Sequence, residues 1–321
     1  MRSNAAMAPP LDGATGWLNT EPLTPDDLRG HAVLYVFWTY TCINWLRVSP
    51  YVKAWADRYR DAGLLVVGIH TPEFVFEEDI ANVTPSVAAH SVTFPVVLDS
   101  NYAIWRAFDN HYWPAIYLAD ADGVIRYVHF GEDRYAETER AIQAVLGETG
   151  AAPGAGLVDV MATGDEAPAD WADLESPETY FGYGRGDGFA SGHVARNEVR
   201  RYELPARLGR NDWALAGEWV VEADRISTSD PGATLAIRFH ARDLHVVLAP
   251  SESGRAVPLV VRIDDDEPGA GHGADVDPAG TGLVVEPRMY QLLRQAGRIV
   301  DRTAYLTFPD GGASAFVVTF G

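Results

Sequence analysis

The sequence predicts an α/β domain on a mostly parallel sheet, followed by an all-β domain. Three observations carry this. Short apolar runs alternate with amphipathic stretches as far as residue 146. A segment rich in Ala, Gly, Pro and acidic residues, from Gly147 to Pro177, then interrupts all periodicity. Beyond it come only short β-patterned runs separated by turn residues. At 321 residues the chain also exceeds what one hydrophobic core usually organises.

The first element is a strand over 32–38. Residues 44–61 follow as an amphipathic helix, with Leu46, Val52, Trp55 and Tyr59 apolar and Lys53, Asp57, Arg58 and Asp61 polar. Gly63 ends it. Leu64 to His70 is a short continuous apolar run, the signature of a parallel strand buried on both faces. Helical character returns near 77–90, Thr93 to Asp99 reads as a third strand, and 101–108 as a short helix. Two further strands, 115–118 and 124–129, flank Ala121-Asp122-Gly123, a strong hairpin signal. Residues 135–146 close the domain as a helix with Ala136, Ile142 and Val145 on one face. The order β-α-β-α-β-α-β-β-α is that of a thioredoxin-like fold with an internal insertion. In the second half, strands at 213–221, 233–240, 244–248, 257–263, 283–285, 305–308 and 315–320 predict an antiparallel β-sandwich. The expected organisation is a loosely ordered start over 1–10, a thioredoxin-like domain over 11–148, a linker over 149–176 and the sandwich over 177–321.

Charge narrows the partners. With 25 basic and 45 acidic residues the formal charge is −20, which repels phosphate backbones and anionic head groups. No nucleic-acid partner is expected. No membrane span is expected either, because no stretch approaches the ~20 apolar residues that a bilayer requires. The first ten residues lack the apolar core of a secretory signal, and one cysteine allows no internal disulfide. Both favour a reducing cytoplasm, with export as the alternative should a leader be missing. No cofactor is implied. Gly182-Tyr183-Gly184-Arg185-Gly186 lacks the strand–helix context and lysine of a phosphate loop, and no zinc spacing or nucleophile elbow occurs.

The chemistry centres on Cys42. It follows the apolar run ending Phe37-Trp38-Thr39-Tyr40-Thr41, where thioredoxin-type proteins place Cys-x-x-Cys, but position 45 is tryptophan. A dithiol pair cycles through an internal disulfide, and a single sulfur cannot. Cys42 opens a helix, where unpaired N–H groups and the macrodipole favour a thiolate and typically lower a cysteine pKa from ~8.5 toward ~7. The plainer reading is an inert buried cysteine. Its position favours a functional, or formerly functional, thiol.

Three phrases carry a family resemblance: Phe37-Trp38-Thr39-Tyr40-Thr41-Cys42-Ile43-Asn44, Gly68-Ile69-His70-Thr71-Pro72-Glu73-Phe74 and Tyr112-Trp113-Pro114-Ala115. They resemble the redoxin part of DipZ-type proteins, of the TlpA-like kind. In that family a membrane electron-transfer segment is joined to a thioredoxin-like domain and a jelly-roll, carbohydrate-binding-module-like β-sandwich. The resemblance spans nearly all of 11–321 and lacks the membrane segment. It departs at Trp45, where the family has its second redox cysteine. The resemblance implies a cis Trp113-Pro114 bond beside Cys42, forming a docking edge for a substrate backbone. His111 and Tyr112 would line the same rim, with Asn44, Trp45, His70 and Glu73.

Two readings of this site stay open. In the first, Cys42 reacts through a mixed disulfide or a sulfenic acid that a protein or low-molecular-weight thiol resolves. Thr39, three residues before Cys42 as in peroxiredoxins, extends this to a single-cysteine peroxidase, although Tyr35 stands where those enzymes have proline. In the second, the redoxin is catalytically retired and its rim, or the sandwich, holds a peptide or glycan. Glu73 is either a proton acceptor for the thiol or a cap of the following turn. Tyr180, Tyr183, Trp213 and Trp219 would stack on sugars if exposed, but alternating aromatics in a sandwich are more often core. Asp275, Asp277 and Glu286 form a weak match to a calcium loop, spoiled by Pro278 and Ala279, and a hairpin turn is the simpler reading.

Overall fold

The structure is a computed structural model in which residues 6–154, 156–251 and 254–321 are described. It divides into two compact units, Met1–Ala167 and Pro168–Gly321.

The first unit is built on a six-stranded sheet of order β1-β4-β3-β2-β5-β6. Its strands are β1 (Gly16–Leu18), β2 (Ala32–Trp38), β3 (Leu64–His70), β4 (Val96–Leu98), β5 (Ala115–Ala119) and β6 (Ile125–Phe130). β2 runs parallel to β3 and antiparallel to β5, so both its edges are paired, and all seven of its residues are buried. Helices α1 (Pro25–Leu28), α2 (Ile43–Tyr59), α3 (Ile80–Ala89), α4 (Ala103–Ala107) and α5 (Tyr135–Glu148) complete the thioredoxin-like fold. Gly68 of β3 is required by close packing. A Cβ there would come within 2.8 Å of the Trp38 indole nitrogen and 2.9 Å of the Phe94 ring.

Some boundaries differ from the sequence reading, for local reasons. The helix expected from 77 starts at Ile80, because the Asp79 side chain caps it by accepting from Ala81 N at 2.9 Å. Strand β1 is too short to read in sequence; it exists because Trp17 pairs opposite Val97. Residues 6–10, expected to be loosely ordered, are held instead. Met7 bridges Val124, and Ala8 N donates to Gly123 O at 2.8 Å, satisfying the open edge of the β5–β6 hairpin. Residues 1–5 of that start lie outside the described residues.

The second unit is all β, a large antiparallel sheet that curls around one core. Its strands are β7 (Thr179–Tyr180), β8 (Val199–Tyr202), β9 (Trp213–Val221), β10 (Ile226–Thr228), β11 (Ala233–Phe239), β12 (Asp243–Pro250), β13 (Val257–Ile263), β14 (Thr281–Val284), β15 (Arg288–Arg294), β16 (Arg302–Phe308) and β17 (Ala313–Phe320). Strand β9 turns the corner. Its first half pairs with β11 and its second half with β10, and Gly217 lies between them at φ +91°. Leu235 and Phe239 of β11 thereby share a core with Leu248 of β12 and Phe320 of β17, the two phenyl rings stacking at 5.6 Å.

Candidate active site around Cys42

Strand register assembles the site. Trp38 pairs with His70 and Phe37 with Ala115, so the segments after β2 and β3 and the one before β5 meet at one sheet edge. In α/β sheets this carboxyl edge is where ligands bind. Cys42 caps α2: its carbonyl accepts from Leu46 N at 3.1 Å, and its own N–H donates to Thr39 O at 3.3 Å. The side chain is half-buried, with Sγ 3.8 Å from the Trp113 carbonyl oxygen. The Trp113-Pro114 bond is cis. Trp113 is fixed by its indole N–H, which donates to Thr71 O at 3.0 Å, and by its ring, 4.3 Å from that of Trp105.

Other expected rim residues divide into two groups. Asn44 and Glu73 are half-exposed, while Tyr112 is exposed with its ring 4.9 Å from Phe130. His111 stands in solvent, 3.4 Å from the Asp109 carboxylate. Trp45 and His70 are not rim residues. Trp45 is fully buried, its ring 4.8 Å from Trp38, because the first turn of α2 presses that position onto the sheet. His70 is 1% exposed between Trp38 and Tyr40, and burial lowers its pKa to about 3, so it stays neutral.

A residue that the sequence reading passed over underpins the site. Glu77 is wholly buried, and its carboxylate accepts four hydrogen bonds. Thr41 supplies Oγ1 at 2.6 Å and N at 3.3 Å; Glu73 N and Phe74 N supply the others at 2.6 and 2.9 Å. It therefore joins the loop before Cys42 to the loop after β3. Burial raises its pKa to about 7, against the pull of the Thr39 and Thr41 hydroxyls and the Phe74 amide. Thr39 is fully buried, and its hydroxyl finds no hydrogen-bond partner among the described residues. The detectable signal was Glu77 three residues after Phe74, the spacing at which a carboxylate reaches back to an N–H.

In the second unit, Asp275 is taken by Arg288 at 2.6 Å and by Gln291 N at 2.7 Å, and Asp277 accepts from Thr281 N at 2.8 Å. Glu286 lies 3.5 Å from Arg288. These acids form no metal-binding cluster among the described residues, and the segment is a turn. Trp213 and Trp219 are core residues, and guanidinium groups of Arg185 and Arg196 cover Tyr180 and Tyr183.

Residues 9–146 match the Redoxin family, and residues 176–321 match the family described as a thioredoxin-like C-terminal domain. The thiol-disulfide oxidoreductase YkuV of Bacillus subtilis is 34% identical over 142 residues, which are 44% of this chain and 95% of that protein. This chain belongs to the thioredoxin-like redoxin family. Within it the redoxin is DipZ-like: Protein DipZ of Mycobacterium tuberculosis is 34% identical over 317 residues, 98% of this chain. The chain spans 43% of the length of that relative. A solved thioredoxin-like protein in its oxidised form is 32% identical, with a TM-score of 0.42, covering 45% of this chain and 97% of that chain. No helix among the described residues is long and apolar enough to cross a membrane.

Proposed function

We propose that this redoxin acts through Cys42 alone, exchanging thiols with external partners by way of a mixed disulfide. The supporting observation is the half-buried sulfur at the start of α2, 3.8 Å from the Trp113 carbonyl, with no second cysteine in the chain. The Cys42 thiolate attacks a partner disulfide R–S–S–R′, forming Cys42–S–S–R and releasing R′–S⁻. A second external thiol then attacks the mixed disulfide, takes R as a new disulfide and returns Cys42 as thiolate. Electrons pass between the partners and none is retained by the chain. The partner is a protein or low-molecular-weight thiol, and a reducing compartment such as the cytoplasm would supply the second one.

The peroxidase reading draws no support from Thr39, which is fully buried with no hydrogen bond from its hydroxyl to any described residue. The test is intact mass after incubation with oxidised glutathione, then with a reduced thiol. One adduct at Cys42, removed by the second step, is expected. If the folded chain takes no adduct while the urea-unfolded chain does, the sulfur is vestigial and a binding protein is the better reading.

A further inference from the structure

The first unit holds a cavity of about 400 Å³ far from the thiol. Val33 and Tyr35, which line it, belong to the first half of β2, whereas Cys42 follows the opposite end of that strand. The walls are apolar, supplied by Leu11, Leu23, Leu28 and Val33. One side is closed by residues 7–10, held in place through the Met7–Val124 bridge and the Ala8–Gly123 hydrogen bond. The size falls within the ~300–1,000 Å³ range of pockets that take small molecules.

Of the buried residues that line it, Leu11, Val33 and Tyr35, only Tyr35 carries a polar side-chain atom. Tyr35 is 3% exposed, and its ring is packed 5.2 Å from Phe108. Its hydroxyl makes no hydrogen bond with any described residue and, unlike the ring, is not sealed from solvent, which leaves it open to a partner entering the cavity. Charge at the mouth sets a second condition. Asp12, Asp120 and Asp122 stand there, with Arg29 as the one cation; Arg29 is engaged by Asp26 at 2.9 Å and Asp120 by Arg126 at 2.9 Å. An anion entering would meet unfavourable charge and find no unengaged guanidinium among these residues.

We infer that this cavity binds a small, uncharged, largely apolar molecule whose one hydrogen-bonding atom is directed at the Tyr35 hydroxyl. The ligand fills the apolar walls and completes the hydrogen bond that the protein leaves open. The site is independent of the thiol chemistry, so its occupancy neither requires nor blocks Cys42.

The probe is 4-methylphenol, titrated into the full chain while methyl NMR signals of Leu28 and Val33 are followed. Saturable shifts confined to the cavity are expected, and 4-methylbenzoate, of similar shape but anionic, should bind on the order of tenfold more weakly. Tyr35→Phe should weaken 4-methylphenol about fivefold, the loss of one hydrogen bond of ordinary net strength. Leu28→Trp, which fills the cavity from its half-exposed side, should abolish the shifts while the remaining spectrum stays folded. Absence of saturable shifts overturns the inference, as does equal affinity of Tyr35→Phe or of the carboxylate.

Discussion

The Thr41 hydroxyl donates to the Glu77 carboxylate at 2.6 Å, joining the residue before the thiol to a buried acid 36 positions on. Because burial raises the Glu77 pKa from 4.5 to about 7, the folded protein keeps a proton that the unfolded chain releases earlier. Its contribution, on the order of 3 kcal/mol, is fully present below pH 4.5 and lost as the pH rises through 7. Relative to wild type, Glu77→Gln should therefore remove a loss of stability between pH 4.5 and 7. It should also cost about 1–3 kcal/mol at low pH, since the amide nitrogen cannot accept from donors that either oxygen of the protonated carboxyl group can serve. Urea unfolding across pH checks both; an unchanged pH profile contradicts the assignment.

His70 tilts the profile the other way. Its folded pKa is lowered from 6.5 to about 3, so its contribution is present above pH 6.5 and lost as the pH falls through 3. Both ring nitrogens lack hydrogen-bond partners among the described residues, so His70→Phe removes a buried polar group while keeping an aromatic ring beside Tyr40. The variant should lose less stability than wild type between pH 6 and 4, measured by urea midpoint. An equal loss in both would exclude His70 as its source.

Trp45 occupies the position of a second thiol. Trp45→Cys should form an internal disulfide with Cys42, read as the loss of two hydrogen atoms in intact mass under oxidising conditions. Insulin reduction should then appear, which the wild-type chain, with one cysteine, cannot sustain by a dithiol cycle. Vacating a fully buried indole should cost about 3–5 kcal/mol. Wild-type activity equal to that of a dithiol thioredoxin, or no disulfide in the variant, would falsify the geometry assigned to this helix start.

Arg47 and Glu132 form a buried ion pair at 2.9 Å, 3% and 10% exposed. Arg47→Met leaves Glu132 without its partner cation and should destabilise by about 3–5 kcal/mol. Adding Glu132→Gln should recover part of that loss. A double variant no more stable than Arg47→Met would show that the charge left on Glu132 is not what costs stability.

The sequence by itself determined the elements whose signals are local. Leu64 to His70 is apolar at every face, and the structure makes those same residues β3. Asp122-Gly123 marks the β5–β6 turn, and Gly123 adopts φ +80° there. Cys42 at the start of a helix was equally legible, since an apolar strand and an amphipathic stretch bracket it. Only the tertiary structure decided which neighbours of that cysteine face solvent. Trp45 and His70 flank the motif but are buried, because α2 packs on the sheet and β3 pairs with β2. Strand β1, the four donors to Glu77 and the open hydroxyl of Tyr35 likewise depend on segments distant in the chain. Periodicity and turn chemistry act over a few residues, whereas burial of a polar group is set by whatever the fold brings against it.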